Sequence, residues 1–429
     1  MFEWYKDLRQ NERRTFWGCS FGWSLDAMDV QLYSFVMPAL IAAWHLSHAD
    51  AGLIGTVTLL TSALGGWVAG WLSDRMGRVR LLQVTILWFS FFTFLSGFTN
   101  NFEQLLIVRA LQGFGFGGEW AAGAVLLGEV VQDKYRGRAL GTVHSGWAVG
   151  WGMAALLYAF LFQVLPPENA WRWMFWLALL PAAAVIVIRR TIQEPQVYKT
   201  QKENRAEKST GMLGIFQSVY LKRTFFASLL ACGAQGGFYA IAIWLPTYLK
   251  TSRNLSVLST GGYLAVVIIG SFLGYVISAY LTDYLGRRKN FLLFSVSSIL
   301  TILIYMFVPI DNSIMLWLGF PLGFFASGIY SGIGPFFTEL FPTAVRGTGV
   351  GFCFAIGRAM GAAFPALVGF LSASLGLGAA IGGFTVFAYS LIVIAVLVLP
   401  ETKGTSLQSV GDATPSESSL SAATVMNER

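Results

Sequence analysis

The sequence predicts an all-α membrane protein with twelve transmembrane helices in two six-helix bundles and both termini cytoplasmic. Three observations predict it: a depleted charge content, a series of long apolar runs, and a charged loop that occurs twice. Of 429 residues, 55% are hydrophobic and only 12% are charged. A soluble chain carries about 25% charged residues. A chain this long must wet its surface, so the deficit fits a surface that faces lipid. The net charge of +7 then reflects basic loops on one side of a bilayer rather than a nucleic-acid surface.

Apolar runs of about 20 residues suffice to cross a bilayer. The predicted spans are 16–43, 51–73, 80–98, 103–131, 138–163, 171–190, 223–249, 258–282, 289–309, 313–340, 347–374 and 376–399. The first follows a charged start (Lys6, Arg9, Arg13, Arg14) and continues past Pro38, so it reads as a full span and not as a cleaved leader. The first, fourth, seventh, tenth and eleventh are long, which implies tilt or extension beyond the hydrocarbon. Cys19, Cys232 and Cys353 all lie inside apolar runs. Their odd count and their spacing imply neither a disulfide framework nor a metal site.

Lysine and arginine mark the cytoplasmic loops. Starting the chain inside the cell places 24 of the 29 basic residues on that side. The expected domains are a first bundle over 1–190, a cytoplasmic linker over 191–222, a second bundle over 223–400 and a disordered cytoplasmic tail over 401–429. The linker is polar with alternating charge, and the tail is rich in Ser, Thr and Ala.

The two halves repeat one another. Gly70-Trp-Leu-Ser-Asp74-Arg75-Met-Gly77-Arg78-Val-Arg80 returns as Ala279-Tyr-Leu-Thr-Asp283-Tyr-Leu-Gly286-Arg287-Arg288-Lys289, 209 residues later. Glu129 and Arg136-Gly137 return as Glu339 and Arg346-Gly347, and Glu194-Pro195 pairs loosely with Pro400-Glu401. Three landmarks in one order and register imply a parallel internal repeat.

These residues resemble the major facilitator superfamily. The pattern at 70–80 is similar to that superfamily's loop signature between spans two and three, and 279–289 to its second copy between spans eight and nine. Arg109-Ala-Leu-Gln112-Gly113 resembles its span-four motif, and Pro400-Glu-Thr-Lys-Gly404 a motif after the last span of sugar and metabolite porters. Leu25-Asp26-Ala-Met-Asp29 resembles the D-x-x-D of organic-acid/proton symporters. Gly117-Gly118-Glu119-Trp120 is similar to the sialate/lactate and metabolite groups, and Ile356-Gly357-Arg358 to the aromatic-acid group. The resemblance covers about residues 15 to 404. It implies a secondary transporter of the inner membrane that works by alternating access.

The residues themselves point the same way. Charged groups within a span are costly and mark function unless paired. Asp26 and Asp29 are three residues apart, and Tyr33 continues their face. At least one of them is expected to couple a proton; a structural hydrogen bond is the plainer role. Glu119 lies in a glycine run that permits close helix approach, with Gln112 on its face, and is expected to couple a proton, by binding it or by pairing with Arg109; for most of the glycines packing is the plainer role. Arg109 takes a proton-coupling role from the resembled motif, with Asp26, Asp29 or Glu119 as partner; snorkelling is the alternative. Arg358 has a planar fork that suits a carboxylate, or pairs with an acid from another helix. His144 shares a face with Trp147, Trp151 and Tyr158. Gln235 and Tyr239 in span seven, with Ser327, Tyr330 and Ser331 in span ten, offer uncharged hydrogen-bonding groups to a small polar solute. The expected substrate contacts are therefore Arg358, Tyr33, Gln112, His144, Gln235, Tyr239, Tyr330 and Ser331.

The loop residues Asp74, Arg75, Gly77 and Arg78, and Asp283, Gly286 and Arg287, read as cytoplasmic latches, with Glu129–Arg136 and Glu339–Arg346 as candidate partners. No nucleophile–base set, metal cluster or phosphate loop appears in the sequence. The glycines at 113–118 lie inside an apolar span with no strand before them. The chain is therefore expected to need no cofactor beyond a coupling proton, with sodium as the alternative ion. It is expected to act as a monomer that imports a small organic anion. An exporter of drugs or metabolites, an importer of a neutral sugar-like solute, and a nutrient receptor are the competing readings.

Overall fold

The computed structural model describes residues 3–76, 78–131, 135–179, 215–341 and 346–403. Every regular element among them is a helix. A short α1 (Glu3–Lys6) precedes α2 (Gln10–Trp44), α3 (His48–Met76), α4 (Arg78–Ser96) and α5 (Phe102–Val130). Then come α6 (Arg136–His144), α7 (Gly146–Val164) and α8 (Pro167–Leu177). The second half holds α9 (Ser218–Thr251), α10 (Val257–Leu285), α11 (Arg287–Phe307), α12 (Asn312–Leu340), α13 (Arg346–Gly361), α14 (Ala363–Leu375) and α15 (Leu377–Val398). Among the described residues, nine helical stretches are long and apolar enough to cross a membrane.

Local chemistry sets the helix ends. Glu12 accepts from the Arg9 amide at 2.7 Å to start α2, Asn101 caps α5 through the Gln104 amide at 2.9 Å, and Ser256 caps α10 through Ser259 at 3.1 Å. These bonds satisfy amides that a helix start leaves open. The expected fifth span is two helices, α6 and α7, joined at Ser145, whose amide and hydroxyl both turn to the Thr142 carbonyl. The expected eleventh span divides likewise at Ala362 into α13 and α14. α9 begins at Ser218, inside the stretch read as linker.

Of these nine stretches the two most enclosed are α2 and α9, with 78% and 89% of their apolar windows buried, against about half for α4 and α10. They form the middle of the molecule and touch each other. The repeat is visible in packing. A Cβ on Gly113 of α5 would strike the Thr58 carbonyl of α3, and one on Gly323 of α12 would strike the Val267 carbonyl of α10. These two close crossings stand in the same register as the repeated loops, so the sequence repeat is a repeat of helix contacts.

Candidate substrate and coupling site

The first cluster lies among helices of the first half. Asp29, buried in α2, accepts hydrogen bonds through one oxygen from Thr93 of α4 and through the other from Gln112 of α5. The Arg109 guanidinium of α5 is 4.0 Å from the same carboxylate and lies over the Tyr33 ring at 5.3 Å. Tyr33 in turn gives its hydroxyl proton to the Ala51 carbonyl of α3 at 2.6 Å. Of the three acids weighed for Arg109, the structure selects Asp29. Arg109 is 1% exposed, so this is a fully buried ion pair, and such a pair persists only when its charges stay matched. Tyr33 and Gln112, expected as substrate contacts, are placed beside this pair.

Asp26, one helical turn before Asp29, is wholly buried and points to the other half. It and Arg358 both interact electrostatically with Tyr239 of α9. Arg358, near the end of α13, is also buried. Its Nε donates to Gln235 Oε1 at 3.1 Å, and its guanidinium carbon lies 5.0 Å from the Phe116 ring of α5 and 5.2 Å from that of Phe354. Gln235 is itself held by the Phe354 carbonyl at 3.0 Å. Carrying this cation into the interior costs several kcal/mol. Two ring faces and one amide hold the fork in place, with its remaining donors available for a carboxylate.

Around Arg358 the lining is aromatic. Tyr330 donates to the Ala234 carbonyl at 3.2 Å and packs on Phe238 and Tyr275. Ser331 donates to the Tyr275 carbonyl at 2.7 Å. His144 bonds the Leu140 carbonyl at 3.2 Å and stacks on Tyr275 across the two halves, with Trp23 at its edge. Glu119 is buried beside Cys19, Trp23 and Leu140, lining a crevice of about 10 Å³. It thus sits apart from the Asp29 pair.

The loop-motif end is knitted together in the second half. Arg287 grips Glu339 with two bonds, at 3.0 and 2.8 Å, and Asp283 with one at 3.0 Å. Glu339 also accepts from Thr402 at 2.5 Å. Its described partners are therefore Arg287 and Thr402, where the sequence suggested Arg346. Glu401 accepts from the Arg287 and Arg288 amides at 2.9 and 3.0 Å, capping α11, while Arg288 caps α15 at the Val396 and Leu397 carbonyls. Residues 401–403, expected to begin a loose tail, are tied into the helix ends. Burial alone would raise the Glu401 carboxyl; the amides of Arg287, Arg288, Lys403 and Thr402 hold it below its ordinary value. In the first half, Gly77 lies outside the described residues, as do the side chains of Asp74, Arg75, Arg78, Glu129 and Arg136, and in the second half that of Arg346. The opposite end joins the halves directly: His48 Nδ1 meets Ser372 Oγ at 3.0 Å, and the Ala366 amide donates to Thr56 at 3.1 Å.

Sequence reasoning did not single out Thr93, Phe116, Phe354 or Phe238. Thr93 had a weak signal, one of three hydroxyls with Ser90 and Ser96 in an aromatic run; the phenylalanines had none, being ordinary span residues.

Buried charges at the meeting of two repeated helical halves, inside a body of membrane-length helices, define a membrane transport protein. The chain belongs to the Major Facilitator Superfamily, whose model matches residues 19–320 and 264–421. It is 42% identical to a probable 4-methylmuconolactone transporter of Cupriavidus pinatubonensis, over 96% of each chain. It is 31% identical to the cis,cis-muconate transport protein of Acinetobacter baylyi, over 86% of this chain and 90% of that one. Among solved structures, a proton:xylose symporter bound to a bromodeoxyglucose superimposes with a TM-score of 0.76 at 17% identity, covering 93% of this chain and 98% of that one. The last likeness concerns fold alone.

Proposed function

We propose that this protein is a proton-coupled importer of a small planar organic acid, working by alternating access in the cytoplasmic membrane. It acts as a monomer of twelve spans in two six-helix bundles, with both termini in the cytoplasm. The observation that carries the reading is Arg358, a buried guanidinium set between two phenyl rings at the junction of the halves. A guanidinium fork with two phenyl rings beside it suits a carboxylate attached to a flat, unsaturated skeleton. The named substrates of the relatives, muconolactone and muconate, have that chemistry.

Coupling is assigned to Asp29 with Arg109. Protonating Asp29 removes the charge that holds Arg109, so the proton changes the stability of this helix packing and biases which side is open. Asp26 faces the substrate and joins the two events. The Arg287–Glu339–Thr402 knot is the cytoplasmic latch, and the His48–Ser372 contact lies at the external rim. Supporting this division, the partners of Asp29 among the described residues are first-half groups, whereas Arg358 contacts both halves.

The test is uptake of labelled carboxylates into proteoliposomes with an alkaline lumen. Unsaturated acids should accumulate, and a protonophore should abolish the accumulation. Uptake indifferent to the protonophore removes proton coupling; uptake of neutral sugars but not acids removes the organic-acid assignment.

A further inference from the structure

Two tryptophans of α7 stand beside the proposed carboxylate clamp with unused donors. Trp147 and Trp151 are 4% and 1% exposed, and neither indole N–H has a protein acceptor. A buried indole N–H normally finds one, as Trp244 does at the Pro365 carbonyl, 3.0 Å away. Leaving such a donor unmet forfeits its hydration with nothing in return. Two of them, four residues apart on one helix face, bear on the same ring: Phe238 of the second half meets Trp147 and Trp151 at 6.1 Å each. On the other side Phe116 is the bridge to the clamp, with its ring 6.4 Å from that of Trp147 and 5.0 Å from the Arg358 guanidinium. The Phe116 ring thus lies between a cation suited to a carboxylate and Trp147, and Phe238 joins Trp147 to Trp151.

We propose that the Trp147 and Trp151 indole N–H groups recognise a second oxygen of the substrate, so that the site selects acids with an oxygen acceptor at the end remote from the carboxylate held by Arg358. The acceptor is a carbonyl or a second carboxylate. α7 belongs to the first half and Arg358 to the second, so a two-ended acid would bridge the halves, while a one-ended acid engages only one. This rests on the carboxylate reading of Arg358.

The test uses a matched pair of probes, 2,4-hexadienedioate and 2,4-hexadienoate, which share a planar skeleton and differ by one carboxylate. Binding is measured on the full-length protein in nanodiscs, for wild type, Trp147→Phe, Trp151→Phe and the double variant. Phenylalanine keeps an aromatic ring and removes only the donor. Loss of a hydrogen bond to a charged acceptor should weaken dioate binding by about ten- to hundredfold, with hexadienoate binding unchanged. As an independent readout, indole ¹⁵N–H resonances assigned from the two variants should shift in wild type on adding the dioate and stay in place on adding hexadienoate. Equal weakening for both probes means the rings act in packing and overturns the proposal. So does dioate affinity that survives in the double variant. If wild type binds neither probe, the carboxylate reading itself fails, and this proposal with it.

Discussion

Replacing Arg358 by lysine keeps the positive charge and removes the fork, so it isolates what the geometry contributes. In the structure Arg358 spends its Nε on Gln235 and lies over two rings; its other donors are those a carboxylate can use. Lysine has no Nε–H at that point, so Gln235 loses its partner. Its ammonium is a point charge that cannot offer two parallel bonds. One charge-assisted hydrogen bond is worth about 1.5–3 kcal/mol, which is about ten- to 150-fold in Kd. Arg358→Lys should therefore weaken binding of an unsaturated carboxylate by about that factor, while thermal stability in detergent changes little. Equilibrium binding to purified protein, with a melting curve of the same preparation, reads both. An unchanged Kd in a folded variant refutes the clamp.

Asp29→Asn preserves size but not charge at the Arg109 pair; it should abolish accumulation against a gradient while leaving substrate exchange intact. Full accumulation by that variant would remove Asp29 from coupling. Gly286 has φ +95°, and a Cβ there would lie 2.9 Å from Glu401 Oε2. Gly286→Ala should cost about 1–3 kcal/mol and lower the melting temperature, and an unaltered melt would contradict the strained cap. Glu401 is held below the ordinary carboxylate range. Its stabilisation is therefore present above that range and is lost as pH falls through the depressed value. Wild type should lose more stability than Glu401→Gln on acidification into that region; parallel melting curves would refute the cap's contribution.

Much of the fold was legible because lipid imposes a simple rule: long apolar runs must be helices, and a repeated charged loop fixes the register. The site was legible where charge was concerned. Asp26, Asp29, Arg109, Glu119 and Arg358 stand out in apolar spans, and each is buried here. Their pairing was not legible. Asp26 and Asp29 read as one face, yet a three-residue step leaves side chains about 60° apart around the helix. At the centre of a bundle that angle decides which neighbour is met, so Asp26 faces Tyr239 and Asp29 faces Gln112 and Thr93. Tyr33, four residues beyond Asp29, stays on the Asp29 side with Arg109, and α5 brings Gln112 to the same carboxylate. Phe116 and Phe354 were invisible because a phenylalanine lining a guanidinium looks like one facing lipid. Arg346 was the candidate partner read for Glu339, and its side chain lies outside the described residues; that α11 brings Arg287 to Glu339 from a distant stretch of chain was not legible.

The central claim is that a carboxylate and a proton move inward together. The most direct measurement traps a pH-sensing dye inside proteoliposomes, imposes no pH gradient, and adds substrate outside with the membrane voltage clamped by potassium and valinomycin. The account predicts luminal acidification that follows substrate entry and disappears in Asp29→Asn. Substrate entry with no change of luminal pH would contradict it.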